Sequence, residues 1–261
     1  MSGFFENIGR GVLGFVDYLG NVTLVAGDSF HSMFTQRIRW RETVRQIYSV
    51  GVASLPVVLL TGAFIGMVFA AQTYFQFHKV MMDTSTGPAV SLALSRELGP
   101  IITSLMVAGR VGAAMAAEIG TMRVTEQVDA LRSLAVHPVD YLVVPRLIAM
   151  VVSLPLLTAM SIATGIACAF IVSVEVLGID GAYFLHNMHK YTEAEDIWTG
   201  LIKVFLFAFL IVFISCYKGL RCEGGAEGVG KATTEAVVNS SISILITNFF
   251  ATMLLSKIIP P

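Results

Sequence analysis

Five long apolar runs constrain this sequence more than any other feature. They cover residues 48–77, 90–119, 141–176, 198–217 and 236–258. A helix that crosses the hydrocarbon core of a bilayer needs about 20 predominantly apolar residues, so each run is long enough to span a membrane. Soluble domains carry about 25% charged residues, whereas this chain carries 13%. The sequence therefore predicts an all-α membrane protein, a single domain of residues 1–261 with five transmembrane helices.

Residues 1–45 precede the first run and are not expected to span. Apolar residues recur there at helical spacing between acidic and basic side chains. This pattern is typical of an amphipathic helix in the plane of the membrane interface, although a helix packed on the rest of the protein would show the same pattern. The segment from Arg37 to Arg45 has arginines on both sides of Trp40, which is typical of an anchor at the lipid headgroups.

The basic residues predict the orientation of the chain, because Lys and Arg near helix ends are retained on the cytoplasmic side. With a cytoplasmic N-terminus, eleven of the 17 basic residues lie on the cytoplasmic side and three on the other side. The remaining three, Arg96, Arg110 and Lys203, lie within the apolar runs. We therefore expect a cytoplasmic N-terminus and a C-terminus across the membrane.

Charged residues inside the second run are the main candidates for a functional role. Arg96 and Glu97 lie at membrane depth, where a charge costs a few kcal/mol and usually faces a bundle interior or a water-filled cavity. Neighbours on a helix point about 100° apart, so each needs a different partner. Gly99 and Pro100 weaken the helix beside them. A structural ion-pair network and a cavity lining both fit, and Lys203 either lines the same cavity or extends to the surface.

Residues 120–140 separate the second and third runs and are polar with a helical pattern. Thr125 is placed to cap a short helix. Val128, Leu131 and Leu134 would form its apolar face, with charged residues on the other face. Such a helix is suited to docking into the groove of a partner, and it is equally suited to folding back onto its own bundle.

The glycine-rich segment 225–232 resembles a phosphate-binding loop but lacks its chemistry. Ala232 stands where the magnesium-binding hydroxyl is needed, and no α/β domain surrounds the segment. The spacing of the five histidines matches no metal-binding motif, and the sequence shows no recognisable pairing of a catalytic nucleophile with a base. We therefore expect no enzyme activity in this chain, no metal site, no cofactor and no nucleic-acid partner.

Four segments resemble a known family, the MlaE/YrbE permeases of ABC transporters that work with MCE-domain proteins. The segments are Arg96–Pro100, Gly109–Ala113, Ala117–Leu131 and Gly228–Thr234. The resemblance extends from about residue 40 to the end of the chain. It implies a homodimer in the cell inner membrane, in which each copy has an interfacial helix, five spans and a cytoplasmic coupling helix.

The resemblance also implies partners and a cargo. Two cytoplasmic ABC ATPase subunits would bind below the permeases, often with a STAS-domain protein, and a ring of MCE-domain protein would bind on the periplasmic side, where the C-terminus lies. The cargo would be phospholipid or a related lipid that moves between the inner and outer membranes, which maintains the lipid asymmetry of the outer membrane.

The family's functional positions carry over onto particular residues of this chain. The polar positions of its lipid pocket match Arg96, Glu97 and Lys203, and the apolar wall matches Phe69, Tyr74 and Phe77. Some relatives carry an acid where this chain has Asn248. The segment that couples to the ATPase matches residues Arg123, Thr125, Glu126, Gln127, Asp129 and Leu131.

Two other functions are compatible with a polytopic membrane protein. An ion-driven secondary transporter would show internal repeats with polar sites in matching halves, but the pattern of Arg96–Pro100 occurs once. A membrane scaffold that only recruits an ATPase and an MCE protein would explain the helix in residues 120–134 but not the charges within the second run. Replacement of Glu97 would separate these functions from transport.

Overall fold

The computed structural model describes residues 2–35 and 39–258, with side chains from residue 13 onward except 14, 15, 34 and 35. These residues form helices, turns and short loops, and no strand occurs among them. Short 3₁₀ and π-helical turns interrupt the longer elements. The α-helices are α1 (Ser2–Thr35), α2 (Trp40–Val50), α3 (Leu55–His78), α4 (Thr86–Ala93), α5 (Gly99–Val107), α6 (Ala113–Val124), α7 (Gln127–Ser133), α8 (Pro138–Leu142), α9 (Val144–Ile171), α10 (Gly181–Tyr191), α11 (Ala194–Leu220) and α12 (Gly225–Ile258).

Five helical stretches are long and apolar enough to cross a bilayer. They are Trp40–His78, Asp83–Val124, Pro138–Val176, Ala194–Leu220 and Gly225–Ile258. Each of the five apolar runs of the sequence lies within one of these stretches. The prediction of an all-α protein with five transmembrane helices is therefore confirmed.

The bundle has two ends, which we name after the short helices that lie there. α7 and α8 connect the second and third spans at the α7 end, and α10 connects the third and fourth spans at the α10 end. α10 packs against α4, and the Asn187 amide donates a hydrogen bond to the Thr84 carbonyl just before α4. Every span therefore runs from one of these ends to the other.

Close backbone contacts hold α3 against α9. A Cβ on Gly66 would overlap the carbonyl of Gly165, and a Cβ on Gly62 would overlap that of Ser161. Small residues at a spacing of four let two membrane helices approach closely, and packing then replaces the hydrophobic effect that is absent in lipid. α9 also packs against α11, so it lies at the centre of the bundle.

Burial differs strongly among the spans. Within an 18-residue apolar segment of each span, the three middle spans bury 50–56% of the residues. The corresponding segment is 22% buried in the first span and 11% buried in α12. The first and last spans therefore leave most of their apolar surface uncovered by the chain's own helices.

The N-terminal helix α1 is both packed and exposed. Ser29 and Ser32 are buried, and Val22 and Ala26 pack against the main core beside α8 and α11. The opposite face exposes apolar side chains, of which Leu24 is typical. The packed interpretation of this segment is therefore supported, and its position in the membrane interface stays a prediction. The predicted headgroup anchor includes Arg37, which lies outside the described residues.

The segment between the second and third spans differs from the sequence prediction in its cap. Thr125 ends α6, and its hydroxyl donates a hydrogen bond to the Thr121 carbonyl. Glu126 then adopts a left-handed backbone conformation with φ of 60°, and α7 begins at the next residue. The prediction that Thr125 caps the short helix is therefore wrong. The N-cap residue of α7, which has the non-helical backbone, is Glu126.

The apolar face of α7 is also smaller than the sequence suggests. Val128 is buried in the main core and Leu131 packs against it, so this face folds back onto the chain's own bundle. Leu134, predicted to share that face, follows the last residue of α7 and is 73% exposed. On the other side of α7, Gln127, Ala130, Arg132 and Ser133 are exposed.

Candidate functional site

A π-helical turn, Leu94–Leu98, carries the charged pair of the second span. The Gly99 N–H donates to the Leu94 carbonyl five residues back, which defines the extra residue in this turn. Turns of this kind often occur at functional sites. Pro100, at the start of α5, has no N–H to donate to the Arg96 carbonyl four residues earlier. This carbonyl is therefore free to accept a hydrogen bond from another helix.

Lys203 of α11 provides that hydrogen bond. Its side chain is fully buried, and its Nζ lies 3.0 Å from the Arg96 carbonyl oxygen, 2.6 Å from Glu97 Oε1 and 2.8 Å from Thr252 Oγ1. An ammonium group has three donors, so all three are used. The interpretation in which Lys203 extends to the surface is therefore wrong.

The Glu97 carboxylate joins α11 to α12. Besides Lys203, it accepts hydrogen bonds from Thr252 Oγ1 at 3.0 Å and from Asn248 Nδ2 at 3.0 Å. Asn248 therefore supplies a neutral amide donor to this carboxylate. Its own Oδ1 is buried and has no hydrogen-bond partner among the described residues.

Arg96 points to a different partner, as the helical spacing predicts. Its Nε donates to Asp196 Oδ1 at 2.5 Å, and the Asp196 side chain is almost fully buried at the start of α11. The second Asp196 oxygen accepts the backbone N–H of Glu193 at 2.9 Å, which caps α11. Arg96 itself remains partly exposed.

A close helix contact makes these distances possible. Gly200 of α11 lies against the Ser95 carbonyl, and a Cβ at this position would overlap it. α11 therefore approaches the π-helical turn closely enough for Asp196 on one side and Lys203 on the other to reach Arg96 and Glu97. We name the whole set the polar cluster; its residues are Arg96, Glu97, Asp196, Lys203, Asn248 and Thr252.

The polar cluster is electrically balanced and links three spans. Two cations and two carboxylates pair with each other, so no buried ion is left unpaired, as is required when charges leave water. Sequence analysis missed Asp196 and Thr252. A signal was present, because Asp196 lies seven residues before Lys203, two turns along one helix face, and Thr252 lies four after Asn248.

The predicted apolar wall is only partly close to this cluster. Phe69 packs in a small group of buried residues that includes Leu94, with Leu98 beside it, so it lies alongside the π-helical turn. Tyr74 lies farther along α3 and stacks on His78, with 5.2 Å between ring centroids. Phe77 is half-buried next to that pair. The assignment of these residues to a lipid pocket stays a prediction.

A second polar network fixes α7 against α6. Arg123 Nη1 lies 2.6 Å from Asp129 Oδ2, and Arg132 Nη1 lies 3.2 Å from Asp129 Oδ1. The Gln127 amide donates to the Thr125 hydroxyl at 3.0 Å. All these residues lie at or near the surface together with Glu126. Five of the six predicted coupling residues are thus polar and lie at or near the surface, whereas Leu131 packs against the core. Their role in binding an ATPase stays a prediction.

Comparisons with known proteins agree with this architecture. The sequence profile of a family described as Permease MlaE matches residues 43–254. A probable ABC transporter permease protein of Rickettsia conorii is 42% identical over 253 residues, which cover 97% of this chain and 98% of that protein.

Two relatives have more specific names. The intermembrane phospholipid transport system permease protein MlaE of Haemophilus influenzae is 36% identical over 253 residues, which cover 97% of each chain. The chloroplastic protein TRIGALACTOSYLDIACYLGLYCEROL 1 of Arabidopsis thaliana is 42% identical over 229 residues, 88% of this chain and 65% of that protein. Because the profile covers most of the chain and these relatives extend over nearly all of it, the chain belongs to the MlaE permease family.

Proposed function

We propose that this chain is the membrane subunit of an ABC transporter that moves phospholipids between the inner and outer membranes and so maintains outer-membrane lipid asymmetry. The observation that carries this proposal is the polar cluster, a set of balanced charges inside an apolar bundle of a permease family. The Haemophilus influenzae relative is named for phospholipid transport, which supports phospholipid as the cargo.

The polar cluster suits the headgroup of such a cargo. Arg96 is the partly exposed cation of the cluster and uses its Nε on Asp196. A guanidinium has five N–H donors, so further donors remain for the oxygens of a phosphate, which arginine binds in a bidentate manner. Glu97 and Lys203 hold the second, fourth and fifth spans in a fixed relation behind it.

The chain acts in this proposal as a homodimer. The first span and α12 leave most of their apolar surface uncovered, and a second copy is the partner that would cover it. Glu97 and Lys203 bond to Thr252 on α12, so the polar cluster lies against one of these poorly covered spans. Movement of one copy relative to the other would therefore change access to the cluster.

The remaining partners follow from the two ends of the bundle. α7 and its polar network bind a cytoplasmic ABC ATPase, which a STAS-domain protein accompanies in some systems. The α10 end faces the periplasm and an MCE-domain protein. This orientation puts the N-terminus in the cytoplasm and the protein in the inner membrane, and the exposed surface around Arg123, Asp129 and Arg132 supports it.

Reconstituted transport tests the proposal. The chain is purified with its ATPase and MCE partners, placed in vesicles, and transfer of a fluorescent phospholipid to acceptor vesicles is measured with and without ATP. We expect ATP-dependent transfer that falls about tenfold or more in Glu97→Gln, because a charge-assisted hydrogen bond contributes about 1.5–3 kcal/mol. Glu195→Gln, an exposed acid of α11, is the matched control and retains transfer.

Three outcomes would contradict the proposal. Transfer driven by an ion gradient without ATP would favour a secondary transporter. Equal transfer in the wild type and in Glu97→Gln, with an intact assembly, would remove the polar cluster from the mechanism. An assembly that forms but transfers no phospholipid under any condition would leave the scaffold function.

A further inference from the structure

A separate cavity of about 500 Å³ lies near the α10 end of the bundle. Its walls come from the start of the second span, from α9, and from the segment that includes the end of α10 and the start of α11. The apolar lining includes Ala159, Ile162, Ala163, Ile166, Met188 and Ile197. Cavities that bind small molecules have volumes of about 300–1,000 Å³ and are mainly apolar, so this space is large enough for a ligand.

Two buried hydroxyl groups in this cavity have no partner. Ser95 is 1% exposed, and its Oγ makes no hydrogen bond within the described residues; the same holds for the Oγ1 of Thr192. Other helical hydroxyls, such as those of Ser54 and Thr158, donate to the carbonyl four residues back. Several other buried hydroxyls of the bundle, such as those of Thr103 and Ser215, also lack a partner in the described part of the chain. Ser95 and Thr192 differ from these in lining a cavity, where a ligand with hydrogen-bonding atoms can satisfy them.

The surroundings of the cavity define the chemistry of that ligand. Its α9 wall belongs to a transmembrane helix, and Ala159 and Ala163 of this wall are exposed to the outside of the bundle. Its other rim contains His189 and Glu193, which are exposed at the polar α10 end. The opening therefore extends from the hydrocarbon region to the headgroup region of a bilayer.

We propose that this cavity is a lateral binding site for one acyl chain of a membrane phospholipid. The acyl chain lies along Ile162 and Ile166, and ester oxygens of the lipid accept hydrogen bonds from the hydroxyls of Ser95 and Thr192. The headgroup lies at the rim beside Glu193. This site goes beyond the proposed function, because a lipid can occupy it whether or not the protein transports lipid.

The site is connected to the polar cluster through two short links. Ser95 immediately precedes Arg96 in the same π-helical turn. Glu193 at the rim donates its backbone N–H to Asp196, which pairs with Arg96. A lipid held in the cavity therefore contacts the elements that position Arg96.

Photolabelling of the purified chain tests the site. Protein in detergent is mixed with a small fraction of phosphatidylcholine that carries a diazirine on one acyl chain, irradiated, and mapped by peptide mass spectrometry. We expect labels concentrated in residues 159–166 and 188–197. Ala163→Trp, which fills the cavity, should reduce them about tenfold relative to Leu156→Trp, a control that adds the same side chain to an exposed position of α9.

Further variants keep the test decisive if Ala163→Trp fails to fold. Ile197→Trp fills the cavity from the opposite wall and should have the same effect. Ser95→Ala should reduce labelling and, in delipidated protein, raise Tm, because an unpartnered buried hydroxyl is destabilising. Labels that spread evenly over exposed apolar surfaces such as Leu156, or that persist in both tryptophan variants, would overturn the site. No ATPase is present, so this result is independent of the proposed transport.

Discussion

The polar cluster and the polar network of α7 contain the same kind of contact in different surroundings. Lys203 and Glu97 lie 2.6 Å apart, and so do Arg123 and Asp129. The Lys203 side chain is fully buried and that of Glu97 is 34% exposed, whereas the Arg123 and Asp129 side chains are 31% and 49% exposed. Exposed ion pairs contribute about 0–1 kcal/mol, whereas loss of one partner from a buried pair costs about 3–5 kcal/mol. Burial, and not distance, therefore separates the two regions in energy.

The same difference suits the two regions to different tasks. A buried network has one arrangement in which all donors are satisfied, so it fixes the relative positions of three spans. Rearrangement of a surface network costs little free energy, so its residues can exchange partners when another protein binds. The first region is suited to holding the bundle together, and the second to docking.

The largest expected effect is on the buried pair. Glu97→Ala leaves the Lys203 ammonium without its carboxylate, and we expect the free energy of unfolding to fall by about 3–5 kcal/mol. Thermal and denaturant unfolding in detergent measure this loss. The double variant Glu97→Ala/Lys203→Met removes both charges and should regain most of the stability. A loss below about 1 kcal/mol in the single variant would show that water reaches the site and would remove the contrast with α7.

A smaller effect is expected at α7. Arg123→Ala, Asp129→Ala and the double variant form a cycle whose coupling energy should not exceed about 1 kcal/mol, because the pair is exposed. Binding of the ATPase partner, measured by co-purification, should nevertheless fall, because α7 loses the contact that holds it against α6. Glu195→Gln serves again as the surface control. Full ATPase binding in the double variant would contradict the docking role.

The smallest effect on the fold is expected from single cysteines that locate the two ends. Met81 lies at the α10 end and Leu134 follows α7, and both residues are highly exposed. The two variants are Met81→Cys and Leu134→Cys. A membrane-impermeant maleimide should label the first in intact spheroplasts and the second only after permeabilisation. The opposite pattern would invert the proposed orientation.

The two buried native cysteines interfere little with this measurement. Cys222, at the α7 end, is buried, and burial raises the pKa of its thiol. A raised pKa lowers the thiolate fraction at neutral pH, so the reaction of Cys222 with maleimide should be slow and should accelerate as the pH rises. Cys216 is fully buried in α11. The wild-type chain is the control for both.

Arg96 and Glu97 show how far sequence reasoning reached into the site. Helical spacing correctly predicted that these neighbours need different partners. It did not identify Asp196 as the partner of Arg96, because the two are 100 residues apart in the chain and only the packing of α11 against the π-helical turn brings them together. For Lys203, the pattern allowed either burial or extension to the surface, and the carbonyl that Pro100 leaves free favours burial.

The short segment after the second span, which contains α7, shows a different limit of prediction from the sequence. Its helical pattern was sufficient to predict α7, and Val128 does face the core. The positions of the cap and of Leu134 were wrong, because both depend on where one residue, Glu126, turns into the left-handed conformation. The position of this left-handed residue depends on how α7 packs back against the bundle. The periodic pattern of apolar residues does not specify that packing.

The sequence by itself determined that this is a helical membrane protein with five spans, and its motifs identified the family. These properties are local, because the length and hydropathy of a segment decide whether it can cross a bilayer. The tertiary structure alone decided which charges meet, which face of α7 stays free and where a cavity forms. Those features depend on the approach of distant helices, which single contacts such as Gly200 against the Ser95 carbonyl and Gly66 against Gly165 permit.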